Sequence, residues 1–168
     1  MGAVDVRAFA VVDLDGVVAD VRHRLHHLQA SPKNWDGFFA AASQDEVLPE
    51  GRAVVDELVA TGHQLVWLTG RPERCRAATT AWLAGTGLPA GELFMRGHGD
   101  RRPARMTKLA VLSDLAARGT VAVVVDDDDA VVKAVRAAGF EVLHAEWMHG
   151  APSLFDVLNR AQEGEGRT

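Results

Sequence analysis

The chain has 168 residues, 48% of them hydrophobic and 24% charged, which allows one domain with a sizeable core and excludes a disordered or fibrous chain. Lys and Arg number 18 and Asp and Glu 23, a net charge of −5 with histidines neutral. That balance excludes indiscriminate coating of nucleic acid or anionic membrane.

The first residues carry Asp5 and Arg7 ahead of a short apolar run, unlike a secretory signal, and Val6 stands where a myristoylation motif wants Ser or Thr. No run reaches membrane-spanning length, and the single Cys75 makes no intrachain disulfide. A cytoplasmic protein without a membrane anchor is expected.

Arg7 to Asp13 (RAFAVVD) is apolar and β-branched and runs into Asp15-Gly16, the pattern of a buried strand ending in a turn. From Asp20 to Gln29, Val21, Leu25 and Leu28 fall at helical spacing until Ser31-Pro32 stops the run, and a second short helix is expected over Trp35 to Ala42. Together these make a small helical insertion over about 20–48. Pro49 to Thr61 opens with Pro and Glu and ends before Gly62, a complete helix signature. The next strand is Gln64 to Thr69 (QLVWLT), followed by a helix from Pro72 to about Ala84, a short strand near Glu92 to Met95, and a helix from about Thr107 to Arg118 closed by Gly119. A strand over Val121 to Val125, a helix over Asp128 to Ala138, a strand over Phe140 to His144 and a helix over Ser153 to Arg160 complete the pattern, with a tail from Glu163 expected to fray.

The alternation implies an α/β, Rossmann-like parallel sheet of about five strands with helices on both faces, forming one domain over residues 1–162. In such sheets ligands bind beyond the carboxyl ends of the strands, at the switch in strand order. Three acidic or polar sets stand there: Asp13-Leu14-Asp15-Gly16, Thr69-Gly70-Arg71 and Asp126-Asp127-Asp128-Asp129. The phosphate-cradling pattern G-x-x-x-x-G-K-[ST] is missing from the chain.

Asp13 and Asp15 start from the same side of their strand, and Asp126 and Asp127 converge on them if the strands lie side by side. Each carboxylate pair about 4 Å apart repels by roughly 4 kcal/mol at a surface-like dielectric, so the cluster calls for a cation. Oxygen-only ligands select a hard ion, and Mg²⁺ is the usual one where phosphate also binds. Taken alone, the four-Asp run reads as a helix cap, the DxDG as a turn and Thr69-Gly70-Arg71 as a turn with an exposed Arg. Their joint placement at three strand ends argues for chemistry.

Through VVDLDGVV (Val11 to Val18), VWLTGR (Val66 to Arg71), Lys108 and VVVDDDD (Val123 to Asp129), the chain resembles the haloacid dehalogenase superfamily of phosphotransferases. Asp15 to Leu28, Thr69 to Pro89 and Leu93 to Leu112 resemble, within it, the 3′-phosphatase part of polynucleotide kinase/phosphatase enzymes. The resemblance implies that Asp13 attacks phosphorus and becomes an aspartyl-phosphate, with Asp15 as acid and then base. For that role Asp15 is expected to hold a proton, its pKa raised by burial and like charge, while Asp13 stays ionised. Thr69 and Lys108 would neutralise the phosphoryl oxygens, and Arg71, with Gly70 beside it, would position the phosphate. Asp13, Asp126, Asp127 and the Asp15 backbone carbonyl would hold Mg²⁺. Two positions depart from the closer relatives: Val17 replaces a usual Thr or Ser, and Asp128 a usual Arg.

Arg96 to Arg105 (RGHGDRRPAR) holds four Arg against one Asp, and Arg96, Arg101 and Arg102 are candidates for tracking a substrate's phosphates. It reads equally as an exposed turn, having no aromatic residue for base stacking. Arg24 lies in a second basic run, in which His23 and His27 have metal-ligand spacing but read better as a solvated helix face. The four Trp are expected to pack the core, Trp35 and Phe38 having a pocket lining as an alternative, and Cys75 is expected to be inert. About 53 residues separate Asp15 from Thr69, leaving little for a lid, and an open site suits a polymer end.

The leading expectation is a Mg²⁺-dependent phosphomonoesterase that removes phosphate from a nucleic-acid 3′ end, as in end healing before ligation. A phosphatase for a small metabolite such as a nucleotide and a non-catalytic phospho-acceptor module remain as rivals. A separate kinase or ligase is the partner such healing calls for, and oligomeric state stays open.

Overall fold

Residues 7–148 and Leu158 are described by the computed structural model. The first apolar run forms β1 (Ala8–Val12), and a two-stranded antiparallel ribbon, β2 (Ala19–Asp20) and β3 (Glu46–Val47), ties the two ends of the insertion through Ala19 opposite Val47. The insertion carries α1 (His26–Gln29) and α2 (Trp35–Ala40). There follow α3 (Pro49–Ala60), β4 (Gln64–Pro72), α4 (Arg76–Thr86), β5 (Glu92–Arg96), α5 (Ala104–Arg118), β6 (Thr120–Asp126), α6 (Asp129–Ala137) and β7 (Val142–His144).

The main sheet has five parallel strands in the order β5-β4-β1-β6-β7. Its central strand β1 is buried on both faces, which is why it reads as a continuous apolar run. Period-two alternation divides it: Phe9 and Val11 join Leu112, Leu115, Val131 and Val135 from α5 and α6, while Val12 joins Val55 and Trp82 from α3 and α4. Each fully buried side chain of this kind contributes about 1.5–3 kcal/mol. Val12 pairs with Trp67 on β4 and Val125 on β6, and this register delivers Asp13, Thr69 and Asp126 to one end of the sheet.

The insertion has its own core of Val21, Leu25, Leu28, Trp35, Phe38, Phe39, Leu48, Met148 and Leu158. The helix expected over Asp20 to Gln29 is split into a 3-10 turn at Arg22–Arg24 and α1, and the turn carries Arg24 inward to an ion pair while Leu25 and Leu28 keep to the core. At its exit, Gly51 lies against the chain so closely that a Cβ there would stand 1.9 Å from the Val17 carbonyl oxygen. Strand β4 runs on to Pro72 because Pro72 pairs with Arg96 after a register shift that bulges Thr69 to Arg71 out of the ladder. The two-residue strands β2 and β3 were too short to leave a periodic signal. The expected helix over Ser153 to Arg160, apart from buried Leu158, and the tail from Glu163 lie outside the described residues. No described helix is long and apolar enough to cross a membrane.

Candidate active site

The end of β1 places Asp13 in a backbone bond to β6, its N–H donating to the Val125 carbonyl at 3.0 Å. Its Oδ1 accepts from the Leu14 N–H at 2.7 Å, and its Oδ2 lies 2.9 Å from Lys108 Nζ. Lys108, on the first turns of α5, also donates to Asp126 Oδ2 at 2.6 Å. Burial would weaken the ammonium, but Asp126 and Asp13 flanking it hold its pKa above the ordinary range. Burial pushes the Asp13 carboxyl up to about 7, with Lys108 opposing and Asp126 and Asp15 adding to the rise.

The four consecutive acids after β6 divide their work. Asp126 Oδ1 accepts from the Asp128 N–H at 3.0 Å, and Asp128 caps α6 by accepting from the Ala130 and Val131 N–H groups at 2.8 and 3.3 Å. The cap reading thus holds for Asp128, the position where closer relatives usually have Arg. Asp127 is 0% exposed, and neither carboxylate oxygen has a hydrogen-bond partner among the described residues. Burial beside Asp13 and Asp126 raises its pKa well above the usual carboxylate range. A buried, unpaired carboxylate is costly, and one oxygen from each of Asp13, Asp126 and Asp127 lies within 4.8 Å of the others. Three hard oxygen donors, one of them from the orphaned Asp127 carboxylate, fit a divalent cation such as Mg²⁺. Gly16, at φ +80°, makes room for this group: a Cβ there would stand 2.2 Å from Asp127 Oδ2.

Asp15 belongs to a different assembly. Its Oδ1 accepts from Arg24 Nη2 at 2.7 Å, from Arg71 Nε at 3.0 Å and from Arg71 Nη2. Asp45, at the end of the insertion, accepts from Arg24 Nε at 2.8 Å, Arg24 Nη2 at 2.7 Å and Arg71 Nη2 at 3.0 Å. Two buried arginines and two buried aspartates therefore form a closed, charge-balanced clamp. His23 Nε2 lies 2.7 Å from Asp45 Oδ1, Trp82 Nε1–H donates to the Asp45 carbonyl at 2.9 Å, and the Arg24 guanidinium stacks 4.2 Å from the Phe38 ring centre. Burial alone would raise the Asp15 pKa, but Arg71 and Arg24 override it and hold the carboxyl well below the usual range.

This corrects several expectations. The expected order of the two pKa values is reversed in direction: the arginines hold Asp15 low, while burial dominates at Asp13 and pushes it upward. The Asp15 side chain turns to the arginines, so only its backbone carbonyl, the atom expected to ligate, is left for the acid cluster's chemistry. Arg24 and Arg71, expected to touch substrate, are 0% and 1% exposed and hold Asp15 and Asp45 instead. Arg96 is buried and braces its loop, donating to the Gly70, Asp100 and Arg102 carbonyls at 3.3, 3.4 and 2.8 Å. Arg102 is exposed and paired with Asp100, while Arg101 is exposed and makes no ion pair among the described residues. Among the described residues His23 and His27 share no metal-ligand group, as the preferred reading expected, although His23 faces Asp45 and His27 faces Asn34. Burial raises the Cys75 thiol pKa, in keeping with an inert thiol. Asp45 was not foreseen; the one signal for it is that a buried Arg24 needs a counter-charge.

Thr69, bulged from β4, accepts the Arg71 N–H on Oγ1 at 3.2 Å and, with Lys108, lines a crevice of about 260 Å³. A carboxylate paired with an ammonium, a hydroxyl and an acid cluster thus meet at the carboxyl end of three adjacent strands, an arrangement suited to phosphoryl transfer.

Residues 7–147 match the family described as the polynucleotide kinase PNKP phosphatase domain. Comparison with the curated proteins gives no match. Among solved structures, the chain is similar to the Pnkp1/Rnl/Hen1 RNA repair complex, with a TM-score of 0.70 and 22% identity over 84% of this chain and 43% of that one. A class C acid phosphatase from Bacillus anthracis, with tungstate bound, matches with a TM-score of 0.59 and 14% identity over 92% of this chain and 78% of the other. A haloacid dehalogenase-like hydrolase from Streptococcus pneumoniae matches with a TM-score of 0.56 and 10% identity over 82% and 84%. The chain spans less than half the length of the RNA-repair chain it matches.

Proposed function

The chain belongs to the family of polynucleotide kinase PNKP phosphatase domains, and on that premise we propose that it is a Mg²⁺-dependent phosphomonoesterase acting on the 3′-phosphate of a nucleic-acid end. The observation that carries this reading is the orphaned Asp127 carboxylate grouped with Asp13 and Asp126 beside Lys108. Asp13, Asp126 and Asp127 would hold the ion, which when bound supplies positive charge against the phosphoryl oxygens.

Asp13 attacks phosphorus through a carboxylate oxygen, the P–O bond to the 3′ oxygen breaks, and the leaving oxygen takes a proton from Asp15. The clamp engages Oδ1 of Asp15 and leaves buried Oδ2 without a partner among the described residues, so Oδ2 is the atom that carries this proton. The negative charge of an arriving phosphate raises the proton affinity of Asp15, which is otherwise held low. In the second displacement water attacks the aspartyl-phosphate, its proton passes to Asp15 Oδ2, and phosphate leaves with Asp13 restored. Lys108 Nζ and the Thr69 hydroxyl offset charge on the transferred group. Dephosphorylated ends then require a separate kinase or ligase for joining, a reading in keeping with the RNA repair complex among the structural relatives.

The test is a panel of one oligonucleotide phosphorylated at its 3′ end, the same oligonucleotide phosphorylated at its 5′ end, and free nucleotides, each with Mg²⁺. Preferential turnover of the 3′-phosphate is expected. Preference for free nucleotides would replace the polymer end with a small-molecule substrate.

A further inference from the structure

The basic loop after β5 has no aromatic residue of its own, but the fold brings one to it. Phe39 of α2, Pro72 and Arg74 just beyond Arg71, and His98 and Arg101 of the loop line a cavity of about 280 Å³. The Arg74 guanidinium lies 5.6 Å over the Phe39 ring. A guanidinium plane and an aromatic ring are the two protein surfaces on which nucleobases stack.

The charge around the cavity suits a nucleotide. Its two rim acids are taken: Glu73 pairs with Arg76 at 2.8 Å and Asp100 with Arg102 at 2.7 Å. Arg74 pairs with the highly exposed Asp36, a surface pair worth roughly 0–1 kcal/mol, and Arg101 makes no ion pair among the described residues. The cavity shares Arg96, Gly97 and Asp100 with the crevice that Thr69 and Lys108 line. Because Thr69 to Arg71 are bulged, the chain from Leu68 to Pro72 advances only as far as Phe94 to Arg96 on β5, roughly 7 Å, a span that one nucleotide covers between its phosphate and its base.

We propose that this cavity is the subsite for the base of the 3′-terminal nucleotide, stacked on the exposed Arg74 guanidinium that the buried Phe39 ring backs, while its phosphate lies at Asp13. The inference rests on the 3′-phosphatase reading and adds to it that the chain binds the terminal base, without reading its sequence. Stacking tolerates any base, because each has a π-face.

The test compares kcat/KM for a 3′-phosphorylated single-stranded oligonucleotide with that for the same oligonucleotide whose terminal nucleotide lacks its base, in ribose and deoxyribose forms. The unsubstituted chain should favour the base-bearing end about tenfold, and in Arg74→Ala, a substitution at an exposed side chain, the ratio should fall to near one. Equal rates on both ends in the unsubstituted chain, or a ratio that survives Arg74→Ala, would overturn the subsite while leaving the 3′-phosphatase reading intact. If neither end is hydrolysed while an aryl phosphate is, the 3′-end reading fails and the base subsite falls with it.

Discussion

Arg24 Nη2 stands 2.7 Å from Asp15 Oδ1, and both side chains are buried. The same guanidinium reaches Asp45, so the insertion after β1 supplies an internal counter-charge to the residue assigned the proton transfers. Buried charges balanced in this way are costly to break singly, since removing one leaves its partners unpaired in a poor solvent for ions.

Asp45→Asn should therefore destabilise the fold by about 3–5 kcal/mol, although the side chain is nearly isosteric. Urea unfolding monitored by tryptophan fluorescence reads this directly, with Trp82 bonded to the Asp45 carbonyl. A loss below about 1 kcal/mol, the scale of an exposed pair, would show that Asp45 does not balance the arginines.

Asp127→Asn separates the metal site from the fold. In chelator-treated protein the substitution removes an unpaired buried carboxylate from beside Asp13 and Asp126, so the variant should melt above the unsubstituted chain. Added Mg²⁺ should stabilise the unsubstituted chain, by about 2.7 kcal/mol at a hundredfold excess over Kd, and give Asp127→Asn little. Equal gains from Mg²⁺ in both proteins would place the ion elsewhere.

Gly16→Ala tests how closely the turn after β1 is fitted. The residue holds φ +80°, and the added methyl meets Asp127 Oδ2 at 2.2 Å, so either the turn or the acid must move. Displacements near 1 Å in a catalytic constellation cost on the order of 10²-fold in rate. Hydrolysis of an aryl phosphate should fall by about that factor, and a variant within twofold of the unsubstituted rate would show that the site has slack.

Much of this arrangement is legible in the sequence because it is local. A continuous β-branched run ending in Asp13-Leu14-Asp15-Gly16 announces both a central parallel strand and its functional end, and the strand-helix alternation places Thr69 and Asp126 beside it. Long-range pairing is what local pattern does not carry. Asp45 sits in a polar stretch, Ser43-Gln44-Asp45-Glu46, with nothing to distinguish it from its neighbours until the insertion folds back on Arg24. Arg24 and Arg71 look like the exposed Arg101 in sequence, because the residue type is the same and only the fold decides which guanidinium is buried. The four-Asp run offers a cap and metal ligands together, and only the fold assigns the cap to Asp128, the Lys108 pair to Asp126 and an unpaired carboxylate, among the described residues, to Asp127.

The claim on which the chemistry depends is that phosphorus passes through Asp13. The direct measurement is acid quenching of a reaction on an oligonucleotide carrying a radiolabelled 3′-phosphate, followed by peptide mapping, in the unsubstituted chain and in Asp15→Asn, where the second displacement lacks its base. The account predicts label on the peptide containing Asp13, accumulating further in Asp15→Asn and missing from Asp13→Asn. Phosphate release that continues in Asp13→Asn, with no label on the protein at any time, would contradict it.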